Sequence, residues 1–358
     1  MKILITSQSF YPSIGGLNPI ADLSAREFIR RGYEVRLLTK TTGTYEGEKE
    51  IEIIRRPGFR EMLEHYRWCD VVFQNHVSIR FALPLLFVRR PLVVSMSGWV
   101  NARAGASTGK WSLRTACVSA MLTRILRSAT RNIAACAAVA AANRVPARVI
   151  PNPFDARTFS NQNRPHRSRD LLFVGRIITD KGVDDLVRAL ALVRKDGFDI
   201  GLVIAGEGGT RSEIEELART LGLAEKVRFA GPMRGRELVD LMNAHQVMVV
   251  PSKWNEPIGI VALEAIACGC VVVGSEGGGL AVTIGPCGLT YPNGDHEALA
   301  ARITEVLRME GRLEKFTAPA QDHLARYHPE RVCGEYLQEI EKVLRDHTYR
   351  NSRHGSHA

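Results

Sequence analysis

Short apolar runs alternate with longer amphipathic segments along most of the chain. The runs predicted to be strands in the first half are Ile3–Thr6, Val35–Thr39, Ile51–Ile54, Val71–Gln74, Leu92–Ser95 and Arg148–Ile150. Those in the second half are Leu171–Val174, Ile200–Ala205, Val227–Ala230, Val247–Val250 and Val271–Val273. Helical patterns occur at Pro19–Arg31, Lys110–Arg131, Glu297–Met309 and Glu330–Val343. This alternation predicts two α/β domains, each with a parallel sheet that binds ligands beyond the carboxyl ends of its strands.

A joint rich in proline separates the two series. Pro151 and Pro153 end the last apolar run of the first half, and the charged segment Ser160–Asp170 that follows has no periodicity, which is typical of a linker. We expect four segments: a first domain over 1–165, a second over 166–325, a final helix over 326–347 and a disordered polar tail over 348–358.

Length and composition agree with two soluble domains. The 358 residues are 45% hydrophobic, enough for two cores, and no apolar run approaches the roughly 18–20 residues of a membrane span. The chain begins with a predicted strand, so no signal peptide is expected. The seven cysteines are scattered without metal-like spacing, which favours a reduced, cytoplasmic protein.

The charge is strongly uneven. Residues 1–165 hold 24 Lys and Arg against 11 Asp and Glu, whereas the remainder holds 24 against 27. No acidic residue lies between Asp70 and Asp155, where 11 basic residues occur. This bias predicts an anionic partner such as a phospholipid membrane or a lipid diphosphate. Nucleic acid is disfavoured because no zinc-finger or RNA-binding signature is present.

The helix predicted over Lys110–Arg131 carries part of this charge. Its apolar side is predicted to contain Trp111, Val118, Leu122, Ile125, Leu126 and Ala129, with basic residues mostly opposite. Such a helix either packs on a sheet with a solvated basic face or docks on an anionic membrane. The helix alone leaves both interpretations open. The acid-free stretch around it favours membrane binding, with the protein as a peripheral protein on the inner face of the plasma membrane.

Candidate chemistry lies in the loops after predicted strands. Gly15 and Gly16 precede a helix and would permit close approach of the backbone to a ligand, although a plain loop is equally consistent. Arg176 and Lys181 lie five residues apart before another helix, where both can reach a diphosphate. Gly206 follows the next strand and allows a tight turn.

The densest cluster of signals follows the run that ends at Val250. Glu256 lies in a predicted loop, Pro257 suits a first helical turn, and Ile258–Ala267 is predicted to be the helix. Glu264 would then lie about two turns into an otherwise apolar helix, where a buried carboxylate needs a partner. The free N–H groups at Ile258, Gly259 and Ile260 suit an anion.

Residues 251–274 resemble the signature of the family 4 retaining glycosyltransferases, which have the GT-B fold. That signature is a Glu, seven residues and a second Glu, with a Phe-Gly-like pair after the first. Glu256 and Glu264 have this spacing, and Ile258-Gly259 stands at the pair. The resemblance extends over roughly residues 1–345 and is densest at 171–290.

The resemblance implies two Rossmann-like, doubly wound domains facing a central cleft, with a final helix that crosses back to the first domain. It implies that the first domain binds an acceptor and the second a nucleotide sugar. The implied reaction transfers a hexosyl group from a nucleotide-diphosphate sugar to a hydroxyl of a glycan or lipid-linked acceptor, with retention of configuration. The implied pathway is the biosynthesis of a cell-surface polysaccharide or glycolipid.

The resemblance also assigns roles to individual residues. Arg176 and Lys181 would stabilise the leaving diphosphate, Glu264 would bind the ribose, and Glu256 would hold the sugar and support an oxocarbenium-like centre. Further donor contacts would come from Gly15, Gly16, Gly206, Glu207, Met233, Ile258, Gly259 and Ile260. Two fixed cations and the lack of an Asp-x-Asp motif predict that neither a metal nor another cofactor is required.

Two positions depart from the family pattern. Ser97, beside Gly98 on the acceptor side, stands where many relatives carry His, and His76 is the nearest candidate to replace that imidazole. Val282 stands where relatives often carry Glu. A nucleotide-sugar epimerase or a non-catalytic subunit of the same fold therefore remains an alternative. A phosphorylase lacks a visible phosphate or pyridoxal site, and a dinucleotide dehydrogenase is disfavoured because Gly15-Gly16 is not a Gly-x-Gly-x-x-Gly motif.

Overall fold

A computed structural model describes residues 1–13, 15–45, 49–100 and 113–355. The chain forms two compact units: one holds the described residues up to Phe154 and those from Tyr327 onward, and the other holds Asp155–Arg326. The segment Ser160–Asp170, predicted to be a linker, is part of the second unit. Phe159 is buried in the core of that unit, and Arg164 donates a hydrogen bond of 2.8 Å to Asp240.

The described part of the first unit contains a parallel sheet of seven strands. They are β1 (Lys2–Ser7), β2 (Glu34–Thr39), β3 (Glu52–Arg55), β4 (Val71–Asn75), β5 (Leu92–Met96), β6 (Arg131–Ala134) and β7 (Arg148–Val149). The order β3-β2-β1-β4-β5-β6-β7 reverses between β1 and β4, as in Rossmann-like sheets. Its helices are α1 (Leu17–Arg30), α2 (Phe59–Trp68), α3 (Ile79–Ala82), α4 (Leu113–Ser128), α5 (Ala137–Asn143) and α14 (Pro329–Gly355).

The described part of the second unit has a parallel sheet of six strands. They are β8 (Ser168–Val174), β9 (Leu202–Ala205), β10 (Val227–Phe229), β11 (His245–Val250), β12 (Val271–Ser275) and β13 (Gly288–Tyr291). The order β10-β9-β8-β11-β12-β13 reverses between β8 and β11. Its helices are α6 (Val183–Lys195), α7 (Arg211–Thr220), α8 (Gly235–Asn243), α9 (Ile260–Ala267), α10 (Leu280–Ile284), α11 (His296–Arg308), α12 (Arg312–Thr317) and α13 (Ala320–Leu324).

Two strands were not predicted from the sequence. Strand β6 begins at Arg131, inside the segment expected to be helical, because α4 already ends at Ser128. The side chain of Asn132 donates to the carbonyl of Leu126 (2.9 Å), which otherwise accepts, from the described residues, only a longer bond from the Ala129 N–H (3.3 Å) at the helix end. Strand β13 begins at Gly288, where a Cβ would lie 1.8 Å from the carbonyl oxygen of Val272, so only glycine permits this close pairing.

The long helix α4 also differs from its predicted orientation. Leu122, Ile125, Leu126 and Ala129 pack in the core beneath the sheet as expected. Val118, predicted to lie on the same side, is exposed, and Trp111 lies outside the described residues. The buried stripe is therefore shorter than the predicted one.

The chain end is helical rather than disordered over most of the predicted tail. Helix α14 packs on α1 and continues to Gly355, because no glycine or proline interrupts the chain between Gly334 and Gly355. No helix among the described residues combines the length and apolarity needed to cross a membrane. No group of three or more His, Cys, Asp or Glu side chains in this part of the chain is arranged to hold a metal ion.

Candidate active site

The site in the second unit is built at the point where its strand order reverses. The loops after β8 and β11 leave the carboxyl ends of neighbouring strands, which is the usual ligand position in such sheets. They are held together by a hydrogen bond from the Lys253 N–H to the Asp180 carbonyl (2.9 Å). Gly182 has a φ of 65°, and a Cβ there would lie 1.9 Å from the Pro251 carbonyl oxygen. A glycine is thus required for the two loops to meet.

An ion pair between Lys181 and Glu256 lies at the centre of these loops. The ammonium of Lys181 contacts Oε1 of Glu256, and the Ser252 hydroxyl donates to the same oxygen at 2.6 Å. The carboxylate side chain is 7% exposed and the lysine side chain 22%. Among the described residues, no group hydrogen-bonds to Oε2. The carboxylate is therefore fixed through one oxygen while the other remains available to a ligand.

Arg176 differs from its predicted partner cation. Its side chain is exposed in the loop after β8, and it forms no ion pair or hydrogen bond within the described ranges. Lys181, in contrast, is already neutralised by Glu256. The loop therefore presents one uncompensated positive charge and one compensated charge.

Two further residues shape this loop and were missed in the sequence. Trp254 lies with its ring centroid 5.7 Å from the Lys181 ammonium, and its buried indole N–H has no hydrogen-bond partner in the part of the chain that the structure describes. Asn293 donates to the Trp254 carbonyl (3.1 Å) and accepts from the Gly277 N–H (2.8 Å). Asn293 lies far along the chain from the Glu256 loop and belongs to no recognisable motif, so only the fold reveals its role.

The glycine run after β12 packs against the backbone of Glu256. Gly279 donates its N–H to the Glu256 carbonyl (2.7 Å), and Gly278 forms an isolated β-bridge with Glu256. Gly278 has a φ of 76°, and a Cβ there would lie 2.1 Å from that carbonyl oxygen. This run therefore holds the Glu256 main chain in place.

The helix after Glu256 begins later than predicted. Gly259 has a φ of 77° and forms the N-cap, so α9 starts at Ile260, and Pro257 and Ile258 are buried outside it. The left-handed turn at Gly259 separates the loop from the helix. As a consequence, Glu264 lies one turn, not two, from the helix start.

Glu264 is a half-buried carboxylate without a hydrogen-bond partner among the described residues. Burial, and secondarily the nearby Asp155 carboxylate, raise the pKa of Glu264 to about 7. A ligand that donates hydroxyl hydrogen bonds to this group would stabilise its charged form and lower that pKa. The residue is therefore suited to binding a diol.

The other predicted donor residues in this unit lie on neighbouring loops. A Cβ on Gly206 would lie 1.8 Å from the Gly175 carbonyl oxygen, so this glycine allows the loops after β8 and β9 to pack. The Glu207 carbonyl accepts from the Ile177 N–H (2.9 Å), while the Glu207 side chain is exposed. Met233 is half-buried against the core beneath α9.

The first unit contains a second group of predicted site residues. His76 follows β4 with a φ of 67°, and burial lowers its pKa to about 4, so the imidazole is neutral. Its Nδ1 is buried and forms no hydrogen bond to any described residue, and its Cε1 lies 3.6 Å from where a Cβ of Gly98 would be. Ser97 donates to Asn152 Oδ1 (3.2 Å). The carboxyl edge of β4 and β5 thus brings His76, Ser97 and Gly98 together.

Gly15 and Gly16 lie just before α1 in the same unit. Gly16 has a helical φ of −63° and forms the N-cap, so its backbone does not require glycine. Within the described ranges, nothing lies closer than 4 Å to a Cβ added there. The open space at this helix start leaves room for a ligand.

Comparison with known proteins identifies the class to which the second unit is similar. Residues 155–323 match the family described as "Glycosyl transferases group 1". The D-inositol 3-phosphate glycosyltransferase of Thermobispora bispora is 36% identical over 196 residues, which are 51% of this chain and 46% of the relative. The glycogen synthase of Mycobacterium tuberculosis is 37% identical over 163 residues, 44% of this chain and 39% of the relative. The matches thus span less than half of each relative.

Solved structures extend the similarity to both units. The Anabaena protein HepE, in complex with UDP and glucose, superposes with a TM-score of 0.79 at 19% identity, covering 96% of this chain and 100% of that one. The sucrose-phosphate synthase of Thermosynechococcus elongatus superposes with a TM-score of 0.80 at 21% identity, covering 96% and 99%. The predicted fold is confirmed: two Rossmann-like units of the GT-B class.

Proposed function

We propose that the protein is a retaining glycosyltransferase of family 4 that moves a hexosyl group from a nucleotide-diphosphate sugar to a hydroxyl of an acceptor. The observation that carries this proposal is the Lys181–Glu256 pair beside the unpaired Arg176, at the reversal point of a sheet within the family match. The similar proteins include a glycosyltransferase and a protein whose structure contains UDP and glucose. This similarity supports a sugar nucleotide as the donor.

The leaving diphosphate gains negative charge as the glycosidic bond breaks. Arg176 offers an uncompensated guanidinium that can form two hydrogen bonds to a phosphate. The Lys181 ammonium has three N–H donors, so it can keep its contact with Glu256 and also donate to a phosphate oxygen. Such fixed cations stabilise charge that develops only in the transition state.

Glu256 serves the sugar through its free oxygen. With Oε1 held by Lys181 and Ser252, Oε2 can accept a sugar hydroxyl and stabilise the oxocarbenium-like centre. Glu264 binds the ribose diol as a two-oxygen acceptor. Since Arg176 and Lys181 supply the positive charge, the reaction proceeds without a divalent metal or other cofactor.

The first unit binds the acceptor. His76 and Ser97 contribute polar groups at the carboxyl edge of its sheet, and the neutral imidazole of His76 can exchange a proton with a hydroxyl. The acceptor is a glycan or a lipid-linked sugar in cell-surface polysaccharide or glycolipid synthesis. The acid-free stretch between Asp70 and Asp155 draws this unit to an anionic membrane on its cytoplasmic side.

A direct assay tests the proposed class. The full chain is incubated with UDP-, GDP- and ADP-sugars, and released nucleoside diphosphate and free sugar are measured. Slow donor hydrolysis, together with thermal protection by one donor series, is the expected result. A ligand at 100 times its dissociation constant stabilises by about 2.7 kcal/mol. Conversion of the donor to an epimeric sugar nucleotide would instead indicate an epimerase, and binding without turnover would indicate a non-catalytic subunit.

A further inference from the structure

The first unit displays an apolar patch formed by Phe59, Leu83, Leu86 and Phe87. Leu86 and Phe87, at the end of the short 3₁₀ turn Leu83–Leu86, are 78% and 68% exposed. Phe59 and Leu83 are 42% and 43% exposed. The rings of Phe59 and Phe87 meet edge to face with centroids 5.5 Å apart. The start of α2 and the turn therefore present one continuous apolar surface.

This concentration of apolar side chains is unusual for the protein. Nine large hydrophobic side chains are exposed in the described part of the chain, and four of them form this patch. Single exposed apolar residues are common on protein surfaces. A contiguous group of them, in contrast, is typical of a surface that binds a protein, a membrane or a ligand.

Arginines flank the apolar patch in the sequence, and a hydrogen bond places one of them beside it. The guanidinium of Arg80 donates to the Pro57 carbonyl (2.8 Å), which places it beside the Phe59 end of α2. The exposed basic residues nearest in the chain are Arg56, Arg60, Arg80 and Arg89. On the same helix as Phe59, the acidic groups are Glu61, which caps the Gly58 N–H (3.2 Å), and Glu64. Over the single range 56–90 the chain holds six arginines against three carboxylates, those of Glu61, Glu64 and Asp70.

We propose that the apolar patch inserts into an anionic lipid bilayer, with Leu86 and Phe87 entering the acyl boundary and the neighbouring arginines contacting lipid phosphates. Apolar side chains flanked by arginine are the composition of membrane-surface elements. The chain carries no acidic residue from Val71 to Phe154, a stretch that contains Leu83, Leu86 and Phe87, so the surrounding field also favours an anionic surface. This inference rests on the proposed attraction of the first unit to a membrane and identifies the residues that enter it.

Flotation of the full chain with vesicles tests the inference. Vesicles of phosphatidylcholine with phosphatidylglycerol are compared with vesicles of phosphatidylcholine alone. The double variant Leu86→Ser/Phe87→Ser should float with the anionic vesicles at least about tenfold less well than the wild type. The matched control is Val282→Ser in the second unit, since Val282 is 67% exposed, like Phe87. This control should float as the wild type does.

A second measurement does not depend on the stability of the double variant. Phe87→Trp should show fluorescence quenching by lipids brominated on their acyl chains, beyond that of the wild type, whereas Val282→Trp should not. Equal flotation of the wild type and the double variant, or quenching that is the same at both sites, would overturn the inference. A wild type that never floats would overturn both the inference and the membrane attraction. Donor hydrolysis without vesicles should be unchanged in the variants at Leu86 and Phe87, which lie in the first unit outside the proposed donor site, so failure of the glycosyltransferase proposal is seen separately.

Discussion

Lys181 and Glu256 form an ion pair through a single carboxylate oxygen, and Ser252 donates to that same oxygen. The two residues lie 75 positions apart in the chain and meet because β8 and β11 are neighbours at the reversal of strand order. The pair assigns two tasks to one contact. It orients the Glu256 carboxylate, and in the proposed reaction it would also hold the Lys181 ammonium near the donor phosphate.

The first prediction concerns Ser252 as a positioning residue. Ser252→Ala removes a hydrogen bond to a buried carboxylate, so kcat should fall by roughly 10- to 100-fold while donor affinity changes little. Ser252→Thr keeps the hydroxyl and should restore most of the rate. Steady-state kinetics with donor titration measures both constants. Wild-type kcat in the alanine variant would show that Lys181 alone positions Glu256.

The second prediction concerns the two cations. Arg176→Ala and Lys181→Ala should each lower kcat by roughly 10²–10³, since each removes a charge partner of the leaving diphosphate. Lys181→Ala should also destabilise the fold more than Arg176→Ala, because it leaves the buried Glu256 carboxylate without its cation.

Urea unfolding of both variants beside the kinetics separates these effects. Arg188→Ala provides a control substitution in the second unit, on α6 and outside the proposed site. If both site variants turn over at the wild-type rate while folded, the phosphate site lies elsewhere.

The third prediction follows from the raised pKa of Glu264. Between the ordinary pKa of about 4.5 and the folded value of about 7, the folded protein binds more protons than the unfolded chain. The free energy of unfolding contributed by this group therefore falls as the pH rises through that window. Glu264→Gln removes the titrating carboxyl and with it this pH-dependent decrease in the free energy of unfolding. Relative to the wild type, the variant should therefore become more stable from pH 5 to pH 8, by up to roughly 3 kcal/mol.

Urea unfolding at both pH values measures this gain. Glu276→Gln, at an exposed carboxylate in the same unit, is the matched control and should show no such trend. A pH-independent difference between wild type and Glu264→Gln would contradict the environment described for Glu264.

The fourth prediction is that transfer survives chelation. If Arg176 and Lys181 provide the charge that a divalent ion supplies in other enzymes, as we propose, activity after treatment with EDTA should remain near that of the untreated protein. Loss of activity that magnesium or manganese restores would refute this assignment of the leaving-group charge.

Much of the fold was predictable because the buried parallel strands are short continuous apolar runs, and the segments between many of them have the 3.6-residue pattern of amphipathic helices. The strands that were missed, β6 and β13, are short and begin with residues that no propensity favours, Arg131 and Gly288. Their places depend on tertiary packing, on the cap by Asn132 and on the close approach of Gly288 to Val272. Local sequence does not contain that information.

The sequence indicates the candidate site residues that belong to a motif or to a recognisable spacing. It does not indicate those that only the folded chain brings near them. Glu256 and Glu264 follow from their motif, and Arg176 and Lys181 from their position before a helix. The bond from Ser252 and the support from Asn293 depend on loops brought together by the sheet. The start of α9 was placed too early because Pro257 is compatible with a first turn, whereas the left-handed Gly259 determines the boundary.

The central claim is that the protein is a retaining glycosyltransferase in which Glu256 and Glu264 have different roles. It is tested most directly by the anomeric configuration of the product, measured together with kcat and donor affinity in variants of the two glutamates. NMR of the first-formed product should show the configuration of the donor. Glu256→Gln should lower kcat with donor affinity nearly kept, because its carboxylate acts where positive charge grows, and Glu264→Gln should mainly weaken donor binding. An inverted anomeric signal, or equal losses of donor affinity in the two variants, would contradict the account.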